Sequence, residues 1–318
     1  MQLHLHIYRR LLIRPHGERD AWPQWFKSAL HFYGANYDQH LLAICLGDPS
    51  LPVKRQIFVT ADDFGSSPEV NSAVIRAYKE GILRYASLLV DAPAAKAAAE
   101  LARQNPGLGV GLHLNLCGSN PALYGLKYFF LPSWRKGLEP EIKRQMEKLK
   151  SFGIKPTHAD GHINIHIHPV IFPKLLRLCR KYNIPRVRIP AGEYGLGMRY
   201  LKKVSLGSRV EYAAFWTLGN YLKKKAETIA PEIKIFPRSF GLLRSGRMKE
   251  DYVLWLLENL PKGETEIYFH PSLDPDSRVA GERPTPSHQT LTEFETLTSP
   301  RILEALKRLA VSLSQREP

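Results

Sequence analysis

From Thr157 to His168 the chain reads Thr-His-Ala-Asp-Gly-His-Ile-Asn-Ile-His-Ile-His. Every even-numbered position from His158 onward carries a group able to bind a metal or exchange a proton, and Ile163, Ile165 and Ile167 fill the odd positions between them. Alternation with a period of two predicts a β-strand with imidazoles and a carboxylate on one face. Burying such a face without partners would cost on the order of 2–7 kcal/mol per unsatisfied polar group. A metal site or an acid–base site is therefore a stronger reading than a solvated strand edge.

Three more stretches carry matching chemistry. In Thr60–Gly65 (TADDFG), Asp62 and Asp63 are adjacent carboxylates, which repel unless a cation lies between them or one holds a proton. Dividing the work resolves this: one binds a metal, the other takes a proton from water. Alone, the pair would read as helix caps, and Gly65 permits a sharp turn behind it. Gly111–Leu116 (GLHLNL) places His113 and Asn115 on one face of an apolar strand. A single histidine there is usually a core residue, but a mixed carboxylate–imidazole set needs further nitrogen donors. Glu266–Pro271 (EIYFHP) ends a strand on His270, held by a rigid proline. A protonated imidazole in that place can donate to a leaving amine, although alone it would read as a cap or turn. The chain has no HExxH, GxSxG or Walker A motif, and Gly107–Gly111 lacks the dinucleotide-binding spacing.

The elements that must position these residues follow from periodicity. Strands are expected at Gln56–Ala61, Tyr85–Val90, Val110–Leu116, along the histidine stretch, and at Arg186–Ile189 and Thr265–Phe269. Helices are expected at Pro68–Glu80, Pro93–Gln104, Glu139–Phe152, Pro169–Tyr182, Met248–Leu260 and Pro300–Leu313. Strands alternating with helices predict an α/β fold, a distorted TIM-like (β/α) barrel of mostly parallel strands. Barrel chemistry sits where strands end, and Asp62, Asp63, His113, Asp160, His162 and His270 all fall at expected strand ends. Residues 1–54, interrupted by Pro15, Pro23, Pro49 and Pro52, read as an irregular N-terminal extension to a single domain over residues 55–318.

Composition narrows the class. A chain of 318 residues with 24% charged side chains is globular in character. It has no apolar run of the roughly eighteen residues that a spanning helix needs. Its N-terminus does not resemble a signal peptide. Three scattered cysteines fit a reducing compartment, so the expected location is cytoplasmic. The formal charge of +15 raises nucleic acid as a partner, yet no nucleic-acid module is present and none is expected to bind. The densest basic region, Arg199–Lys225, interleaves Lys202, Lys203, Arg209 and Lys223–Lys225 with apolar and aromatic residues. It reads as an outer helix pair or lid, with peripheral contact to the inner membrane face as the alternative.

Taken together, the four motifs make the chain resemble the YdjC-like carbohydrate deacetylases, the ChbG/HpnK family, from about Arg55 to about Lys307. Phe240-Gly241-Leu242 with Ser245-Gly246, and Glu266–Pro271, look most like its hopanoid-associated HpnK branch. The resemblance implies a TIM-like barrel and a carbohydrate N-deacetylase. Its cofactor would be a divalent metal, magnesium foremost, with zinc or another divalent ion as alternatives. It implies Asp63, His113 and His162 as metal ligands, Asp62 as the base and His270 as the acid. Asp160 and His166 are additional candidates, His166 in place of His162 if the strand ends early. Asn164 stands where the family often has another histidine. The implied substrate is an N-acetylated sugar or glycolipid, such as an N-acetylglucosaminyl hopanoid, and an oligomer is compatible with the sequence. The competing readings are another metal-dependent amidohydrolase or phosphoesterase, or a non-catalytic basic barrel that binds membrane or nucleic acid. His166-Ile167-His168 supplies an HxH pair, but in mid-chain rather than on the first strand.

Overall fold

Arg55–Phe64 (β1) is the strand against which the rest of the sheet is ordered. From Ile57 onward it is wholly buried, as expected of a strand covered on both faces. It pairs in parallel with Tyr85–Leu88 (β2), with Gly263–Phe269 (β8) and, at its start, with Val311–Leu313 (β9). Outward from β2 follow Gly109–Leu114 (β3), Ala159–Gly161 (β4), Arg186–Val187 (β5) and Lys234–Ile235 (β6). Ser239–Phe240 (β7) flanks β8 on the other side, giving the order β6-β5-β4-β3-β2-β1-β8-β7, parallel throughout. This computed structural model is thus an α/β protein whose sheet curls into a distorted, TIM-like half-barrel. It describes residues 55–117, 121–200, 206–274 and 290–316; the proposed extension over residues 1–54 lies outside the described residues.

The helices are Pro68–Glu80 (α1), Ala95–Gln104 (α2), Pro121–Phe130 (α3), Pro132–Ser151 (α4), Phe172–Lys181 (α5), Glu193–Tyr200 (α6), Leu206–Ile229 (α7), Glu250–Asn259 (α8), Thr290–Leu297 (α9) and Pro300–Arg308 (α10). The start of α1 is written locally. Ser67 accepts a hydrogen bond from Val70 N, and Pro68 occupies the first turn, where its missing N–H costs nothing. Ala73, Val74 and Ala77 then bury the inner stripe of α1 against the sheet. Among the described residues, no helix is long and apolar enough to cross a membrane.

Several expectations are corrected. The histidine stretch is not a strand along its length: β4 ends at Gly161, and His162–Ile167 forms a tight 3-10 turn. Ile163 and Asn164 adopt left-handed φ values of 51° and 54°, which breaks the two-residue alternation and leaves Ile163 38% exposed. α4 begins at Pro132 and runs through Pro140, because Leu138 and Ile142 on either side are both buried in one packed face. The closing helix stops at Arg308, and Ala310, with φ of 50°, turns the chain into β9. The basic region is helical as α6 and α7, with residues 201–205 outside the described residues. Helices α3 and α9 were not expected, since neither shows a clear polar–apolar period.

Candidate metal centre

Thr60, Asp62, Ser87, His113, His158, Asp160, Arg188, Ser239 and Glu266 are all buried, and hydrogen bonds link them across six strands and the residue after β5. A polar interior of this kind is tolerable only when each group is partnered. Strand register supplies much of the partnering. His113 on β3 lies directly opposite Asp160 on β4, and the imidazole Nδ1–H donates to Asp160 Oδ1 at 2.7 Å. Gly111, two residues earlier, is required because a Cβ there would lie 2.6 Å from the His158 ring. That ring in turn contacts Ser87 Oγ, which donates to Asp160 Oδ2 at 2.7 Å.

Asp63 departs from strand geometry at a left-handed φ of 62°, a conformation that a short carboxylate side chain tolerates better than most. Gly65 continues the turn at φ of 97°, and Asn71 braces it by accepting from Gly65 N and donating to Ala94 O. The turn carries Asp63 Oδ1 to 3.0 Å from His162 Nδ1 and 3.2 Å from His113 Nε2. One donor atom each from Asp63, His113 and His162 lies within 4.8 Å of the others, and all three residues are buried. These separations suit a single ion: bonds of about 2.1 Å in octahedral geometry place neighbouring ligand atoms about 3.0 Å apart.

Two further observations test the fit of a cation. His162 turns Nδ1 toward Asp63 and leaves the opposite nitrogen, Nε2, buried without a hydrogen-bond partner, so a neutral ring protonated at Nε2 points its Nδ1 lone pair at Asp63, where a cation fits. His113 commits its Nδ1–H to Asp160, so a neutral ring presents a lone pair at Nε2, the tautomer of a metal-ligating histidine backed by a carboxylate. The local charge agrees. Burial opposes protonation of His113, yet Asp160, Asp62 and Asp63 outweigh it and push its pKa up to about 10. Burial likewise opposes ionisation of Asp63, but His162 and His113 hold it well below the usual carboxylate range. Such a site attracts positive charge, and the residues present fit a divalent ion.

The remaining candidates fall at stated distances. Asp62 has both oxygens bonded by Arg188, from Nη1 at 2.6 Å and Nη2 at 2.8 Å. His270, just past β8, brings Nε2 to 4.0 Å from Asp62 Oδ2, with Nδ1 3.8 Å from Glu293 Oε2. Glu293 is buried on α9 and accepts from the backbone N–H groups of His270 and Met248, fixing the loop after β8. Asp160 joins Asp62 and His113 in a second group of potential ligands, but Arg188 Nη2 already lies 2.9 Å from Asp160. His162, not His166, enters the three-residue group; His166 Nε2 bonds Arg188 O at 2.9 Å, and burial pushes its pKa down to about 4.

Arg188, Glu266, Glu293, Ser87, Thr60 and Ser239 are among the members that sequence reasoning missed. The available signal for Arg188 was its place between Val187 and Ile189 in the expected strand Arg186–Ile189, on the same face as Arg186.

A family model described as "YdjC-like protein" matches residues 56–308. A carbohydrate deacetylase of Geobacillus stearothermophilus is 39% identical over 143 residues, covering 41% of this chain and 58% of that protein. A carbohydrate deacetylase of Vibrio cholerae serotype O1 (strain M66-2) is 31% identical over 160 residues, 46% of this chain and 64% of that one. The chain thus spans roughly three-fifths of the length of these relatives. A crystal structure from Enterococcus faecalis V583, of a protein named for a suspected role in cellobiose-phosphate cleavage, superposes with a TM-score of 0.61 at 21% identity. It covers 82% of this chain and 97% of its own, a likeness of fold.

Proposed function

This chain belongs to the YdjC-like protein family, and from that premise we propose that it hydrolyses the acetamide of an N-acetylated sugar with one divalent cation. The observation that carries the reading is the buried group of Asp63, His113 and His162, with Asp62 and His270 beside it. The curated relatives named as carbohydrate deacetylases support it.

In this reading Asp63, His113 and His162 hold the ion. A bound cation would polarise the acetyl carbonyl and offset negative charge developing on its oxygen. Asp62 takes the proton from the attacking water, while Arg188 keeps its carboxylate aligned. His270 gives a proton to the sugar nitrogen, because an amide anion is too poor a leaving group to depart unaided. Water is consumed; acetate and a free amino sugar result.

The finer assignments belong to the same proposal. Magnesium suits a mixed oxygen–nitrogen site in the cell, although supply as much as affinity selects among divalent ions. A glycolipid substrate, such as an N-acetylglucosaminyl hopanoid met at the inner face of the membrane from the cytoplasm, is supported by exposed apolar side chains. Phe130 on α3 is 73% exposed, and Leu206 and Val210 on α7 are 78% and 63% exposed, with Arg209, Lys224 and Lys225 exposed on the same helix. Both helices lie on connections that follow strand C-termini, the end of the barrel that carries the centre.

The test is to incubate the purified protein with N-acetylglucosamine conjugates and a panel of divalent cations, and to quantify acetate. Acetate release abolished by chelation and restored by a cation is expected. Phosphate release from phosphoesters, with no acetate under any cation, would overturn the reading.

A further inference from the structure

Arg188 touches neither substrate nor ion in the mechanism above, yet it is 1% exposed and meets three carboxylates. We propose that Arg188 is the positioning residue of the centre, one guanidinium fixing Asp62 directly and His113 through Asp160. The catalytic part of this inference rests on the deacetylase reading; the part concerning His113 does not.

The contacts divide by direction. Nη1 and Nη2 fork onto the two oxygens of Asp62 at 2.6 and 2.8 Å, the planar two-point match that only a guanidinium makes. A carboxylate held at both oxygens cannot rotate, so its remaining lone pairs keep one direction. Nη2 also reaches Asp160 Oδ2 at 2.9 Å, and the other oxygen of Asp160 accepts the His113 Nδ1–H. On the far side Nε donates to Glu266 Oε1 at 3.0 Å. Glu266 is itself anchored by hydroxyl donation from Thr60 and Ser239, and the Tyr268 ring covers the guanidinium at 4.2 Å. Strands β1, β4 and β8 are therefore tied to the residue after β5 at one point. A mere counter-charge would need no such plane: a lysine ammonium would neutralise the same acids while losing the fork.

Arg188→Lys separates the two roles, since it keeps the charge and removes the geometry. Thermal unfolding first establishes that the variant folds, and three readouts follow. Turnover of an N-acetylated sugar is expected to fall about 100-fold, the scale of an ångström-level misplacement, with KM within about threefold. Mn2+ affinity, measured by calorimetry without substrate, is expected to fall about tenfold through the loosened Asp160–His113 arm. At saturating Mn2+, which masks the His113 arm, Arg188→Lys combined with Asp62→Asn is expected to add no further loss of kcat, because its effect on turnover runs through Asp62. Turnover and Mn2+ affinity both within about twofold of wild type would overturn the inference, as would losses that multiply in the double variant. If Arg188→Lys fails to fold, Glu266→Gln carries the test by loosening Nε: a fall in kcat of about threefold or more at unchanged KM supports positioning, and unchanged kcat and Mn2+ affinity refute it. If the wild-type protein releases no acetate, the deacetylase reading fails, and Mn2+ affinity alone decides for or against the role of Arg188.

Discussion

His113 and Asp160, paired across β3 and β4, join imidazole Nδ1 to carboxylate Oδ1 at 2.7 Å with neither side chain reachable by solvent. The carboxylate lies on the ring nitrogen opposite the one that faces Asp63, so its effect on an ion is transmitted through ring orientation and basicity. Outer-shell partners of this kind are worth about 10–100-fold in metal affinity. Asp160→Asn is expected to weaken Mn2+ binding by that factor while leaving a folded barrel. Calorimetric titration checks it, and an unchanged dissociation constant would remove Asp160 from the account.

The proposed mechanism makes Asp62 the base and Asp63 the ligand. Asp62 lies next to Asp63 in sequence, but its oxygens face Arg188 whereas Asp63 faces His113 and His162. Asp62→Asn is therefore expected to cut turnover by about 10²–10⁴-fold, the range for a general base, with divalent-ion affinity within a few-fold of wild type. Loss of metal binding together with turnover would mean that the two aspartates share one role.

His270 makes a prediction about leaving groups. An amide nitrogen must be protonated to depart, whereas a nitrophenolate departs unaided. His270→Asn should slow hydrolysis of an N-acetylated sugar much more than hydrolysis of an activated acetyl ester. Equal losses on both substrates would assign His270 to the attack step or to binding instead.

The parts of this site that were legible in the sequence are those in which residue type and position coincide. Asp62, Asp63 and His113 are polar residues at or near the ends of apolar runs, Asp160 belongs to the alternating histidine stretch, and strand ends in a (β/α) barrel converge. Register then brings together what periodicity placed on one face, as for His113 and Asp160. The His162–Ile167 turn was not legible, because polar–apolar alternation says nothing about left-handed φ at Ile163 and Asn164. His162, directly after the extended Gly161, still follows strand alternation and reaches Asp63, and the residues beyond it are the ones that the turn takes out of register. Arg188 was hidden for another reason: in a basic chain an arginine in a short strand looks like surface charge, and only the folded barrel shows three acids around it.

α7 exposes apolar residues, Leu206 and Val210 among them, together with the cations Arg209, Lys224 and Lys225, which gives membrane contact a measurable signature. Electrostatic attraction to anionic lipid weakens with salt, and apolar insertion does not. Sedimentation with anionic vesicles is expected to carry the protein down at low ionic strength and release part of it as salt rises. Replacing Leu206 and Val210 together with serine should reduce the salt-resistant fraction. No binding to anionic vesicles at low salt would limit the substrate to sugars presented in solution.

Glu193, at the start of α6, connects pH to stability away from the metal centre. Its Oε2 accepts the backbone N–H groups of Gly241, Leu242 and Leu243 at 3.2, 2.9 and 3.1 Å, and Tyr252 donates to Oε1. Burial raises its pKa from 4.5 to about 7, and these hydrogen bonds offset only part of that rise. A carboxyl with a raised folded pKa binds its proton more tightly in the native state. Its contribution to stability is therefore full below about 4.5 and is lost as pH climbs through about 7. A shift of this size corresponds to on the order of 3 kcal/mol. Glu193→Gln, neutral at every pH, should flatten the fall in unfolding free energy between pH 4.5 and 7 that the wild type shows. Denaturant titrations at several pH values measure it, and parallel slopes for the two proteins would show that Glu193 does not carry the proton.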